Sequence, residues 1–275
     1  MKKVTLIALL VVVSSFAISQ SQFGIQLYSL RDQFKKDIPG TLAFIQKTGI
    51  RYVEGGDSYG MPGPEFRNLL AKNKISVVSI GADYNELDTS IAAVAEKAKA
   101  YGAKFVVCFW IPHKGEQLTK EEADKAILVF NKAGKQLAAK GLKLCYHPHG
   151  FEFDKIGEGT VFDYLLKKSN PAYINFEMDV FWIKQPGQDP VTLLKKYPGR
   201  FKLMHLKDRA KGTPGSVNGQ ADVESNCTLG IGDIDIAEIV RIGRKQKVAY
   251  MFIEDESSRS VEQVPVSWAF LKSIR

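Results

Sequence analysis

Five ionisable residues stand at the ends of short, β-rich apolar runs. Glu54 follows Arg51–Val53, His147 follows Lys143–Tyr146, Asp179 follows Tyr173–Met178, His205 closes the run from Phe201 to Met204, and Glu254 follows Ala249–Ile253. Taken singly, each has an ordinary reading: a strand-end histidine forms a structural hydrogen bond, and a carboxylate caps a helix. Taken together, at one mouth of a set of parallel strands, they imply more. Three carboxylates gathered there without a cation would repel one another and raise their pKa values. One divalent metal ion removes that conflict. A mixed carboxylate and imidazole set favours Mn²⁺ or Zn²⁺, with Co²⁺, Fe²⁺ and Mg²⁺ as further candidates, whereas an all-oxygen set would favour Mg²⁺ or Ca²⁺. Neither HExxH nor CxxC occurs, so the inference rests on placement in a fold and not on a local motif.

The elements that would position these residues recur regularly. Eight β-rich runs, Phe23–Leu27, Arg51–Val53, Ile75–Ile80, Lys104–Phe109, Lys143–Tyr146, Tyr173–Met178, Phe201–Met204 and Ala249–Ile253, alternate with segments of helical spacing, the last being Val261–Ile274. Unbroken alternation predicts parallel strands joined by right-handed crossovers, and eight such units close a single (β/α)8 TIM barrel. In that fold the C-terminal strand ends carry the chemistry. Gly49, Gly102 and Gly141 each follow a helical segment where a left-handed cap is expected. The Gly- and Pro-rich stretches 60–64 and 185–187 are too short to mark a domain boundary. The polar, Gly-rich stretch 207–234 is long enough to be a lid or binding loop.

The composition, 45% hydrophobic and 25% charged over 275 residues, argues against disorder and against a membrane bundle. The net charge of +8 is scattered, with no run of five like charges, so no nucleic-acid-binding tail is expected. Met1, Lys2 and Lys3 precede an apolar stretch from Leu6 to Ile18 ending in small residues, which predicts a secretory signal peptide over 1–19 and an exported, periplasmic or secreted barrel over 20–275. The apolar stretch is too short for a membrane anchor. Three cysteines do not make a disulfide framework; Cys108 and Cys145 read as core fillers, and Cys227 has no assigned role.

The stretches 24–31, 146–153, 176–182, 204–208 and 252–255 resemble the xylose isomerase-like sugar isomerase/epimerase superfamily, often labelled sugar phosphate isomerase/epimerase. The resemblance spans nearly the whole barrel. It implies a single metal held by a Glu from strand five, an Asp from strand six, a His from strand seven and a Glu from strand eight. Asp179, His205 and Glu254 match the last three. Strand five departs from the pattern: His147 stands where the Glu is expected, and Glu152 arrives five residues later. Either His147 is the ligand, or Glu152 folds back to the metal and frees His147 as a base. The second keeps the ligand set closer to the family's and is the expectation taken here, with His149 as an alternative base or an orienting group.

Epimerases of the superfamily move a proton between two metal-bound glutamates, of which only Glu254 is retained. A metal-polarised carbonyl with a neighbouring His base would instead support enolisation, followed by reprotonation or by loss of a β-substituent. The implied activity is a metal-dependent isomerase or epimerase, or alternatively a lyase acting on 3-keto-glycosides. With export, the expected substrate is a small, non-phosphorylated carbohydrate. Tyr28, Trp110 and Trp182 are expected to pack on sugar faces, and Glu54, His113, Lys207 and Asp208 to meet hydroxyls. An apurinic endonuclease would need a larger ligand set than four histidines allow, so no nucleic-acid partner is expected. No stable membrane association is expected, and homo-oligomerisation is left open. A sugar-binding barrel without catalysis would have had no need of Asp179, His205 and Glu254.

Overall fold

The computed structural model describes residues 22–275. The signal-peptide stretch lies outside the described residues. Eight parallel strands close a barrel: β1 (Gln22–Gln26), β2 (Tyr52–Gly55), β3 (Ser76–Gly81), β4 (Phe105–Cys108), β5 (Lys143–Tyr146), β6 (Ile174–Asp179), β7 (Phe201–Leu206) and β8 (Tyr250–Ile253). Each pairs with its neighbours in chain order, and β1 closes on β8 through Gln22↔Tyr250 to Ile25↔Ile253. The predicted alternation is what forms, with strand ends shifted by at most two residues. Gly49 and Gly102 cap their helices at φ 91° and 72°, a conformation that costs glycine no Cβ clash.

Side chains alternate across each strand, and this places the site. Phe105, Val107, Cys145, Leu203 and Phe252 form a separate apolar cluster, flanked by Phe109 and Tyr250. Two residues further along the same strands come His147 after Cys145, His205 after Leu203 and Glu254 after Phe252. The positions that pack this plug therefore project onto its upper surface. A larger core lies between the strands and the surrounding helices. Cys108 and Cys145 are buried within these two cores as space-filling thiols. Among the described residues no helix is long and apolar enough to cross a membrane.

The long loop after β7 is built and not loose. Asp208–Arg209 pairs antiparallel with Asn226–Cys227, and Arg209 makes a two-point contact with Asp233 while also donating to Gln185. Gly219–Val223 and Asn226 wall the cavity at the C-terminal mouth of the barrel.

Candidate metal centre and its pocket

The mouth opens into a cavity of about 650 Å³, with His147, His149, His205 and Glu254 on its lining. His147 continues the β5 ladder by one bond, its N–H donating to the Cys108 carbonyl at 3.0 Å, and Glu254 extends β8 likewise by donating to Leu206 at 3.1 Å. Asp179 is the last residue of β6. Its Oδ1 accepts from the amides of Phe181 and Trp182, capping the short helix Val180–Lys184, while Oδ2 is buried with no hydrogen-bond partner.

Four side chains converge there. His147 Nε2 lies 3.7 Å from Asp179 Oδ2, and His205 Nδ1 lies 3.9 Å from Asp179 Oδ2 and 3.2 Å from Glu254 Oε2. Asp179, His205 and Glu254 offer ligand atoms within 4.8 Å of one another, as do His147, Glu177 and His205. Two ligands each about 2.1 Å from one ion stand about 3 to 3.5 Å apart, so this spacing suits a divalent cation. The unpartnered Asp179 oxygen supports the same reading, since a buried carboxylate oxygen without a donor is costly unless a cation serves it. The donors are mixed nitrogen and oxygen, which suits Zn²⁺ or Mn²⁺.

The electrostatics show what the cluster does without that cation. Burial lifts Asp179 to about 7. Burial also lifts Glu177 far above the carboxylate range, with Glu54 reinforcing it. His205 is held in the opposite sense: burial alone would lower its pKa, but Glu177 and Glu254 outweigh that and raise it well above 6.5. Asp179 and His205 are thus shifted toward their protonated forms, whereas burial lowers His147, and Lys207 and His205 outweigh burial to hold Glu254 well below the usual carboxylate range. Metal binding replaces such protons.

Glu152, the expected fourth ligand, is elsewhere. Its carboxylate accepts from the Tyr146 hydroxyl and from the amides of His149 and Gly150, so it fastens the turn after β5 from behind and belongs to neither cluster. Folding it back to the metal would break those bonds within the barrel wall. His147 fills the strand-five place, with 2% of its surface exposed and both nitrogens facing carboxylates. Burial holds it neutral, well below the usual histidine range. His149, two residues further on, lines the cavity beside His147. Its Nδ1 is buried and unpartnered, and the Phe109 carbonyl is its backbone hydrogen-bond partner. Burial, with Lys207 nearby, lowers its pKa to about 4, so the imidazole is neutral and able to accept a proton.

Of the expected sugar contacts, Tyr28, Trp182 and Lys207 line the cavity. Tyr28 is 52% exposed at the rim with the Arg31 guanidinium 4.6 Å from its ring, whereas Trp182 is buried against His149. Lys207 lies over the Phe181 and Trp182 rings, 3.4 Å from Glu254 and paired with Glu256. Burial lowers its pKa, but Glu254, Glu256 and Asp179 more than compensate and keep it charged. The remaining four do not meet the cavity lining. Glu54 is fully buried, bonded to Gln26 and His205, and Asp208 spends its carboxylate on the amides of Arg209, Gly230, Gly232 and Ile234. His113 stacks on Phe151 and Trp110 packs against both, outside the lining. Sequence reading missed Glu177. The available signal was an acidic residue inside an apolar strand, on the same face as Asp179.

Comparisons with known proteins agree with this architecture. Inosose dehydratase from Clostridium botulinum (strain Alaska E43 / Type E3) is 29% identical over 161 residues, covering 52% of each chain, so the chain spans about half the length of that curated relative. A sugar phosphate isomerase/epimerase from Parabacteroides distasonis ATCC 8503 superposes with a TM-score of 0.78 at 22% identity, over 93% of this chain and 100% of that one. The IOLI protein with a bound zinc atom superposes with a TM-score of 0.71 at 14% identity, over 92% and 96%. At such identities the two structures establish a shared fold. The family model described as xylose isomerase-like TIM barrel matches residues 42–273, and with the closed eight-stranded barrel this places the chain in the xylose isomerase-like TIM barrel family.

Proposed function

We propose that this protein is a divalent-metal-dependent enzyme that removes a proton next to a carbonyl of a sugar or keto-sugar, with His147, Asp179, His205 and Glu254 holding the metal and His149 acting as the base. The observation that carries this reading is the division of labour between two histidines in one turn. His147 is enclosed among carboxylates, whereas His149 is half-buried, lines the cavity and keeps one nitrogen without a hydrogen-bond partner. The bound metal would supply a Lewis acid that polarises the substrate carbonyl. His149 then accepts the adjacent proton. The Lys207 ammonium stands beside the same cavity and supplies hydrogen bonds to developing negative charge. Trp182 and Tyr28 offer aromatic faces to the sugar ring, and the segment Gly219–Val223 forms one wall of the cavity.

A single imidazole base suits enolisation with loss of a β-substituent, or reprotonation on the same face, better than transfer between two carboxylate bases. That favours a dehydratase or 3-keto-glycoside lyase reaction over a two-base epimerisation, and a dehydratase is among the relatives by sequence. Isomerisation is the second reading, supported by the fold shared with the sugar phosphate isomerase/epimerase. Incubation of a 3-keto-glucoside in D₂O with Mn²⁺-loaded protein tests both. Wild type should exchange deuterium at the carbon next to the ketone or release the C1 group. His149→Ala should keep its metal and lose activity by about 10²- to 10⁴-fold. A His149→Ala protein as active as wild type would contradict the assignment.

A further inference from the structure

The histidine at position 147 creates a requirement that a carboxylate there would not. A neutral imidazole carries its proton on one nitrogen, and only the other can offer a lone pair to a metal. Two glutamates behind the cluster have no other assigned work. Glu177 and Glu54 are both fully buried, and neither lines the cavity. Both stand where strand register slips by one residue, between Phe176 and Glu177 against β7 and between Val53 and Glu54 against β3. Irregularities of this kind re-aim side chains. Glu177 Oε2 lies 3.0 Å from His147 Nδ1 and 3.4 Å from His205 Nε2, while Glu54 Oε1 lies 2.7 Å from His205 Nε2 and accepts from Gln26 at 2.8 Å. In each histidine the nitrogen so engaged is the one opposite that facing Asp179.

We propose that Glu177 and Glu54 are positioning residues, Glu177 fixing the proton of His147 on Nδ1 and Glu54 that of His205 on Nε2, so that His147 Nε2 and His205 Nδ1 face the metal as lone pairs. The inference rests on the metal reading above and adds a specific coupling: His147 and Glu177 work as a pair. A carboxylate at 147 would bring only acceptor oxygens to Glu177, whereas an imidazole donates to it through Nδ1. The same atoms do not favour a second ion between Glu177, His147 Nδ1 and His205 Nε2, because both imidazoles would then have to bridge two metals through both nitrogens. Hydrogen-bonded carboxylates behind metal-bound histidines orient the ring and raise its basicity.

The test is Mn²⁺ affinity by calorimetry, with the visible spectrum of the Co²⁺-loaded protein as a second readout and metal-free melting to confirm folding. Glu177→Leu should weaken Mn²⁺ binding about 10- to 100-fold and alter the Co²⁺ spectrum, and Glu54→Leu should do the same through His205. Glu177→Gln, which keeps an acceptor oxygen and the side chain's volume, should recover most of the loss and guards against misfolding of the leucine variant. In a His147→Glu background the sign should reverse: Glu177→Gln should strengthen Mn²⁺ binding, because the amide brings a permanent donor to the new carboxylate. A folded Glu177→Leu protein that binds Mn²⁺ like wild type, or a Glu177→Gln change with the same effect in both backgrounds, would overturn the proposal while leaving the metal centre intact. A wild-type protein that binds no divalent metal would overturn the metal reading itself, and this inference with it.

Discussion

Around β5, a five-residue interval separates three roles that sequence alone left interchangeable. In the sequence, His147 and Glu152 both stood as the strand-five ligand, and His147 and His149 both as the base. The structure separates them because the turn after β5 needs its amides satisfied, and Glu152 accepts from those of His149 and Gly150. Its location therefore depended on local backbone demand, which the similarity of a carboxylate to the family's ligand concealed. Burial raises Glu152 from 4.5 to about 7 despite these bonds and that from Tyr146. Its folded pKa lies above its unfolded value, so any stability it contributes is fully present below about pH 4.5 and is lost as pH rises through about 7. Melting of metal-free wild type and Glu152→Gln at about pH 5 and about pH 8 checks this, and the fall in Tm between the two should be smaller in the variant. An equal fall in both would show that Glu152 titrates normally.

Among the elements, strand ends were legible and the interior of strands was not. Asp179, His205 and Glu254 each mark the C-terminal end of an apolar run, and a parallel barrel brings those ends together at one mouth. Glu177 lies inside such a run and needed the inward alternation of β6 to be noticed. Glu54 was recognised as a strand-end group but placed one layer too high, since the register slip beside it is invisible in the sequence. Asp208 was read as a substrate contact because it comes just after His205 and Lys207, yet its four amide donors make it the anchor of the loop after β7. Leaving buried amides unsatisfied costs about 1 to 3 kcal/mol per group. Asp208→Ala should accordingly lower Tm and expose residues 210–234 to limited proteolysis, and a variant with wild-type melting and protease resistance would contradict that anchoring role.

For the whole molecule, the barrel was legible because eight apolar runs with helical segments between them leave few alternatives. Export is a separate proposal, resting on Met1, Lys2, Lys3 and the apolar stretch after them. N-terminal sequencing from the native host should find a start near Gln20, and an intact Met1 in a soluble cytoplasmic fraction would reject it. The proposed metal centre requires His147 as a ligand in place of the strand-five carboxylate. Metal content of purified His147→Ala and Glu152→Ala, measured side by side with wild type after equal loading with Mn²⁺, tests that most directly. The expected result is about one metal per chain in wild type and in folded Glu152→Ala, with loss of stoichiometric metal in His147→Ala. Metal retained by His147→Ala and lost from Glu152→Ala would contradict it.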